Sequence, residues 1–176
     1  MPATMSESST RQWNVARVPL YVLGVVAAVC FSFIISVQVA YAATFTVSGT
    51  LYSDEGVTPV TSGKTINLVV GTSTPGVYST TTDASGNYQF EVNLEADAPL
   101  IAYVDGDTNN ANIITTATSS LSNISGLDLY YDHVIVKSED VSTSTVDDFA
   151  TYDSTDDPDI LYTASIGGDS ITFDVA

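Results

Sequence analysis

The chain has 176 residues, 4 basic and 21 acidic side chains, one histidine, one cysteine and a formal net charge of −17. Arg11 and Arg17 lie near the start, and beyond residue 42 two lysines, Lys64 and Lys137, face 20 carboxylates. A surface of that sign repels phosphate backbones and anionic membranes, which excludes nucleic-acid binding as a function class. With Cys30 in the apolar leader and no cysteine after it, no disulfide can staple the remainder, which must fold on an ordinary hydrophobic core.

The first element in chain order is a leader. A polar stretch with Arg11 and Arg17 precedes the apolar run Val18–Val37, and Ala40-Tyr41-Ala42 follows. Basic flank, apolar core and small residues two apart are the pattern of a secretory signal peptide cut after Ala42. The run is also long enough to span a bilayer, so an uncleaved signal anchor is the alternative, with membrane contact only through residues 18–40. Either way residues beyond 42 are expected outside the cytoplasm, in the extracellular space or at the cell surface.

From Thr44 short alternating runs rich in Thr, Val, Ile and Tyr are separated by Gly, Pro, Asp and Asn. They predict strands near 45–52, 65–70, 77–82, 88–93, 100–104, 112–117, 126–129 and 133–137, the spacing of an all-β sandwich. Phe45, Val47 and Leu51 are expected inward in the first strand, Ile66, Leu68 and Val70 in the second, and Tyr88, Phe90 and Val92 in the fourth. Asp83-Ala84-Ser85-Gly86-Asn87 reads as a hairpin turn. Residues 138–159 are acidic and Ser/Thr-rich and read as a linker, after which 160–176 carry further strands, taken as the start of a truncated second unit. The domains expected are thus a leader at 1–42, a sandwich at 43–137, a linker at 138–159 and those last strands.

Two segments together carry a family resemblance. Thr46-Val47-Ser48-Gly49-Thr50-Leu51, with Thr81-Thr82-Asp83-Ala84-Ser85-Gly86-Asn87-Tyr88-Gln89-Phe90, resembles the carboxypeptidase regulatory-like and collagen-adhesin B-type domains over about residues 44–137. The resemblance implies an Ig-like or transthyretin-like (prealbumin-like) β-sandwich, here behind an N-terminal apolar signal or anchor helix. It implies a non-catalytic structural or adhesion module of a bacterial surface or secreted protein, with other surface-protein domains or an extracellular ligand as partners. Some collagen-adhesin B-type domains carry a Lys to Asn or Asp isopeptide bond beside a buried acid. Lys64 and Lys137 are the lysines present, and alternation turns Glu91 outward.

Catalytic motifs are not found. His133, beside Asp132, has no nucleophile and orienting acid at a recognisable spacing, and no paired cysteines, H-E-x-x-H or phosphate-cradling loop occur. The expectation is that the chain is not an enzyme and has no organic cofactor. One metal is in question: Asp105, Asp107 and Asn109 place oxygens at the first, third and fifth positions of a calcium loop. Asn110 stands where glycine is usual and Thr116 where the closing glutamate should be. A polar hairpin tip explains the same residues. Asp153, Asp156, Asp157 and Asp159 form a second acidic cluster, and a carbohydrate face would need the outward member of the adjacent pair Tyr130-Tyr131 with Tyr103, Tyr78 or Tyr152 beside it.

Overall fold

Alternation in the first strand buries Val47 and Leu51 completely and leaves Thr44 exposed, so β1 (Thr44–Tyr52) lays one apolar face on a core. The computed structural model describes residues 44–61, 63–71, 76–139 and 144–174. The leader read at 1–42 lies outside the described residues. No helix among the described residues is long and apolar enough to cross a membrane.

The strands that follow are β2 (Thr65–Val70), β3 (Gly76–Thr81), β4 (Asn87–Asn93), β5 (Pro99–Asp105), β6 (Asn112–Thr116), β7 (Leu129–Tyr130) and β8 (Val134–Val136). One sheet has the order β4-β1-β7 and the other β3-β2-β5-β6-β8. β1 runs antiparallel to β4 with Val47 opposite Phe90, and parallel to β7 with Leu51 opposite Leu129. Between the sheets Val47, Leu51, Ile66, Leu68, Tyr88, Phe90, Val92, Leu100, Val104, Ile113 and Leu129 form the main core, as an all-β sandwich requires. Each fully buried large side chain contributes about 1.5–3 kcal/mol.

Two features depart from the expectations. Asp83 to Asn87 is a corner between sheets and not a hairpin, because β3 pairs with β2 while β4 pairs with β1. The local chemistry is nonetheless that of a tight turn: Asp83 Oδ1 accepts from the backbone N–H groups of Ser85 and Asn87, and Gly86 sits at φ 78°. Gly86 then meets the end of β1, its carbonyl accepting from the Leu51 N–H at 2.9 Å. What makes it a corner is tertiary pairing, which the turn residues do not encode.

The second departure concerns residues 144–174, read as linker and fragment. They hold α1 (Val146–Phe149), β9 (Tyr162–Ala164) and β10 (Ile171–Phe173), the two strands forming an antiparallel hairpin. Thr145 and Asp148 make a capping box that starts the helical turn. Phe149, Ile160 and Tyr162 are buried against Val69, Ile101, Tyr103 and Ile114, the outer face of the five-stranded sheet. Residues 144–174 therefore make a third layer of one compact unit. That cover explains why Leu100 to Val104 and all of β6 are buried on both faces.

Candidate functional site at the sheet–outer layer junction

The outer layer is tied down through carboxylates. Asp153, 3 % exposed, builds the turn: its Oδ1 accepts from the Thr155 N–H at 2.8 Å and hydroxyl at 2.7 Å, and its Oδ2 accepts from the Ala164 N–H at 2.9 Å. Burial alone would raise the Asp153 carboxyl, but the bonds from Ala164 and Thr155 outweigh it and hold it below its ordinary value. The next turn carries Asp157, whose Oδ2 accepts from the Tyr103 hydroxyl at 2.7 Å and whose Oδ1 accepts from the Asp159 N–H at 3.0 Å. Asp159 Oδ2 in turn accepts from the Gly106 N–H at 2.7 Å. Fully buried Asn112 completes the seam, donating to the Asp159 carbonyl at 3.1 Å and accepting from the Leu161 N–H at 2.7 Å.

These bonds bring Asp157 and Asp159 to the end of β5. One oxygen each from Asp105, Asp157 and Asp159 lies within 4.8 Å of the others, and all three residues are half-buried. Burial raises the Asp105 carboxyl, and the negative charges of Asp157 and Asp159 raise it further, with a bond to Asn67 in partial opposition. Among the described residues these three half-buried carboxylates are the group whose hard oxygen donors come close enough to share a cation.

The calcium loop read from sequence is divided. Asp105 joins this cluster. Asp107 turns the other way, bound to Lys64 Nζ at 2.6 Å and accepting from the Tyr131 hydroxyl at 2.6 Å. Burial pushes the Asp107 carboxyl up, but the Lys64 and Tyr131 bonds prevail and bring it down to about 2. Asn109 is exposed at the tip. The three do not converge, because the backbone at Gly106, at φ 68°, sends successive side chains to different neighbours. Of the second acidic cluster, Asp157 and Asp159 face Asp105, while Asp153 and Asp156 shape the turn, Asp156 Oδ2 accepting from the Asp153 N–H at 3.2 Å.

The remaining candidates find structural partners. Lys137 pairs with Glu139 and donates to the carbonyls of Ser125 and Gly126. Glu91 is exposed on β4, as alternation predicts. His133 Nδ1 is bound to the Tyr131 carbonyl at 2.7 Å. Tyr103 and Tyr131 are buried, and Tyr103 stacks on Tyr152, so neither Tyr103 nor Tyr131 offers an exposed ring. The aromatic pair missed in the sequence is Tyr52 on Tyr130, stacked at 5.5 Å and 13°. Its signal was the parallel pairing of β1 with β7, which no local pattern announces. A shallow polar groove of about 560 Å³ also opens along β1 and β4, bordered by Thr50, Asn87, Gln89 and Asp128.

No family model matches the chain, and no curated protein matches it. Among solved structures, it is similar to the C-terminal fragment of the pilus adhesin SpaC from Lactobacillus rhamnosus GG, with a TM-score of 0.31 and 12 % identity. The match covers 59 % of this chain and 48 % of that fragment, so the chain spans about half its length. A likeness this slight bears on neither fold detail nor function.

Proposed function

We propose that the chain is a non-catalytic structural or adhesion module of a bacterial surface or secreted protein, of the carboxypeptidase regulatory-like or collagen-adhesin B-type kind. The observation that carries this reading is the in-register pairing of β1 with β4. It places Thr46-Val47-Ser48-Gly49-Thr50 against the strand that follows the Asp83 corner, the two segments on which the family resemblance rests. Export through the leader, exposure at the cell surface and partnership with neighbouring surface domains follow from the same reading. The packing of His133 against the Tyr131 carbonyl and the Tyr130 ring supports a structural role for that side chain. Protease treatment of intact cells producing the full chain tests it. Release of peptides from residues 44–174 before lysis is expected; their appearance only after lysis would overturn it.

A second reading has its own observation. Asp105, Asp157 and Asp159 present oxygens at a separation that suits a hard divalent cation such as calcium, with waters and carbonyls completing the coordination. On this reading the cation cancels the repulsion at the junction and locks the outer layer to the sheet. Thermal unfolding of the full chain in calcium and in chelator tests it. A calcium-dependent rise that Asp157→Asn abolishes is expected, and identical melting in both solutions would sink it.

A further inference from the structure

A small open pocket lies at the C-terminal end of β1, where the loop after Tyr52 meets β7 and β8. It encloses about 150 Å³ and is lined by Glu55, Tyr130, His133 and Ile135. We propose that this pocket binds a small organic cation, a primary or quaternary alkylammonium group.

Four observations carry the assignment. The aromatic wall is held in place: Tyr52 stacks on one face of Tyr130, and the His133 ring meets it edge-on at 6.4 Å and 71°. The Tyr52 stack covers one face of Tyr130 and holds the ring, which also lines the pocket, so little rotamer freedom is lost when an ammonium group meets it there. The carboxylate is placed by a rigid loop. Asp54 Oδ1 accepts from the N–H groups of Val57 and Thr58, and Gly56, at φ 96°, packs so close to Tyr130 that a Cβ there would press on the ring at 3.2 Å. Glu55 is thereby carried between Asp54 and Gly56 to the pocket, where it is exposed.

The third observation is hydrogen-bond polarity. A carbonyl oxygen only accepts, so the 2.7 Å contact with Tyr131 has His133 Nδ1 donating its hydrogen away from any ligand. A carboxylate and an aromatic wall, with Ile135 adding apolar lining, match a ligand that brings positive charge and C–H surface rather than a sugar, which needs donors and acceptors together. The fourth is the surrounding field. Both lysines of the described residues are engaged elsewhere, Lys64 with Asp107 and Lys137 with Glu139, and the chain carries −17. Cations are drawn to such a surface and anions are kept away.

The test uses the full-length chain in nonionic detergent and ligand-observed saturation-transfer NMR. Tetramethylammonium and n-butylammonium are titrated beside the neutral tert-butanol and methyl glucoside. Saturable binding of the two cations is expected, weakened roughly two- to fivefold by Glu55→Gln through loss of an exposed charge pair, and by a similar factor in Tyr130→Leu. Glu91→Gln, a charge loss on β4, should leave affinity unchanged. Equal binding of tert-butanol, binding of methyl glucoside in place of the cations, no binding of either cation, or equal affinities for Glu55→Gln and Glu91→Gln would each overturn the assignment. Glu55 is exposed in a loop, so its variant keeps the test open even where Tyr130→Leu fails to fold.

Discussion

The Leu161 backbone N–H donates to Asn112 Oδ1 at 2.7 Å, so one fully buried amide on β6 anchors the outer layer. The same amide gives a hydrogen to the Asp159 carbonyl. Asn112→Ala would leave both half-buried backbone groups without this partner, at a cost of up to about 1–3 kcal/mol for each group that water does not reach. Urea unfolding should show the lower midpoint, and amide exchange of Leu161 should quicken more than that of Ile66 in the main core. Equal quickening at both sites would mean the amide supports the whole fold and not the seam.

Phe149 separates a packed layer from a tether. If residues 144–174 are a layer, Phe149→Ala opens a cavity against Tyr162, whose ring meets Phe149 edge-on at 5.5 Å, and costs about 3 kcal/mol or more. A midpoint within error of the parent chain would return the segment to the status of a linker.

Acid acts in opposite senses on neighbouring carboxylates. The folded-state value of Asp107 is about 2, below its ordinary 3.8, so the Lys64 pair stabilises fully above about pH 4 and loses that contribution as pH falls towards 2. Asp107→Asn should be less stable than the parent at pH 7, and the gap should close in guanidinium melts taken at successively lower pH. A gap that is constant across the range would show that the pair contributes no charge-dependent stability.

Asp105 behaves in reverse. Its folded-state value lies above 3.8, so the folded chain holds the proton more tightly than the unfolded one, and stability drops as pH rises through that interval. In chelator at pH 7, Asp105→Asn relieves the repulsion from Asp157 and Asp159 and should raise the melting temperature. A fall would show that the carboxylate makes a favourable contact outweighing that repulsion.

Gly49 faces the Leu127 carbonyl so closely that a Cβ would overlap it, and the same carbonyl accepts from the buried Tyr88 hydroxyl. Gly49→Ala must push β1 from the 124–130 segment, at a cost of about 1–3 kcal/mol. Tyr88→Phe keeps the ring but leaves that buried carbonyl without its donor, at a cost of about 1–3 kcal/mol. Circular dichroism melts should place both variants below the parent chain, and a parent-like midpoint for Tyr88→Phe would mean that the carbonyl finds another donor.

Much of this architecture was readable from periodicity, and the misreadings share one cause. β1, β2 and β4 each show one face to the main core, and Val47, Ile66, Leu68, Tyr88, Phe90 and Val92 are buried as their spacing predicts. β5 and β6 do not alternate: Leu100-Ile101-Ala102-Tyr103-Val104 is an unbroken buried run, the signature of cover on two faces. The cover was hidden because Phe149, Ile160 and Tyr162 are spread through an acidic stretch whose average composition is that of a loop. The 105-107-109 spacing does not bring its three side chains together, for a related reason. Spacing sets where backbone oxygens sit along a chain, while Lys64 and the Asp157 turn, distant in sequence, decide which way each carboxylate faces. Tyr52 and Tyr130, 78 positions apart, were invisible to any local rule.

The position of β1 has a mechanical side. It lies in the middle of its sheet, hydrogen-bonded to β4 along one edge from Thr44 to Thr50 and to the 124–130 segment along the other. A tension entering the fold at Thr44 runs along the strand axis and loads both rows of bonds side by side, so they resist in parallel instead of unzipping in turn. The first strand of the sandwich is therefore well placed to bear traction applied at its N-terminal end.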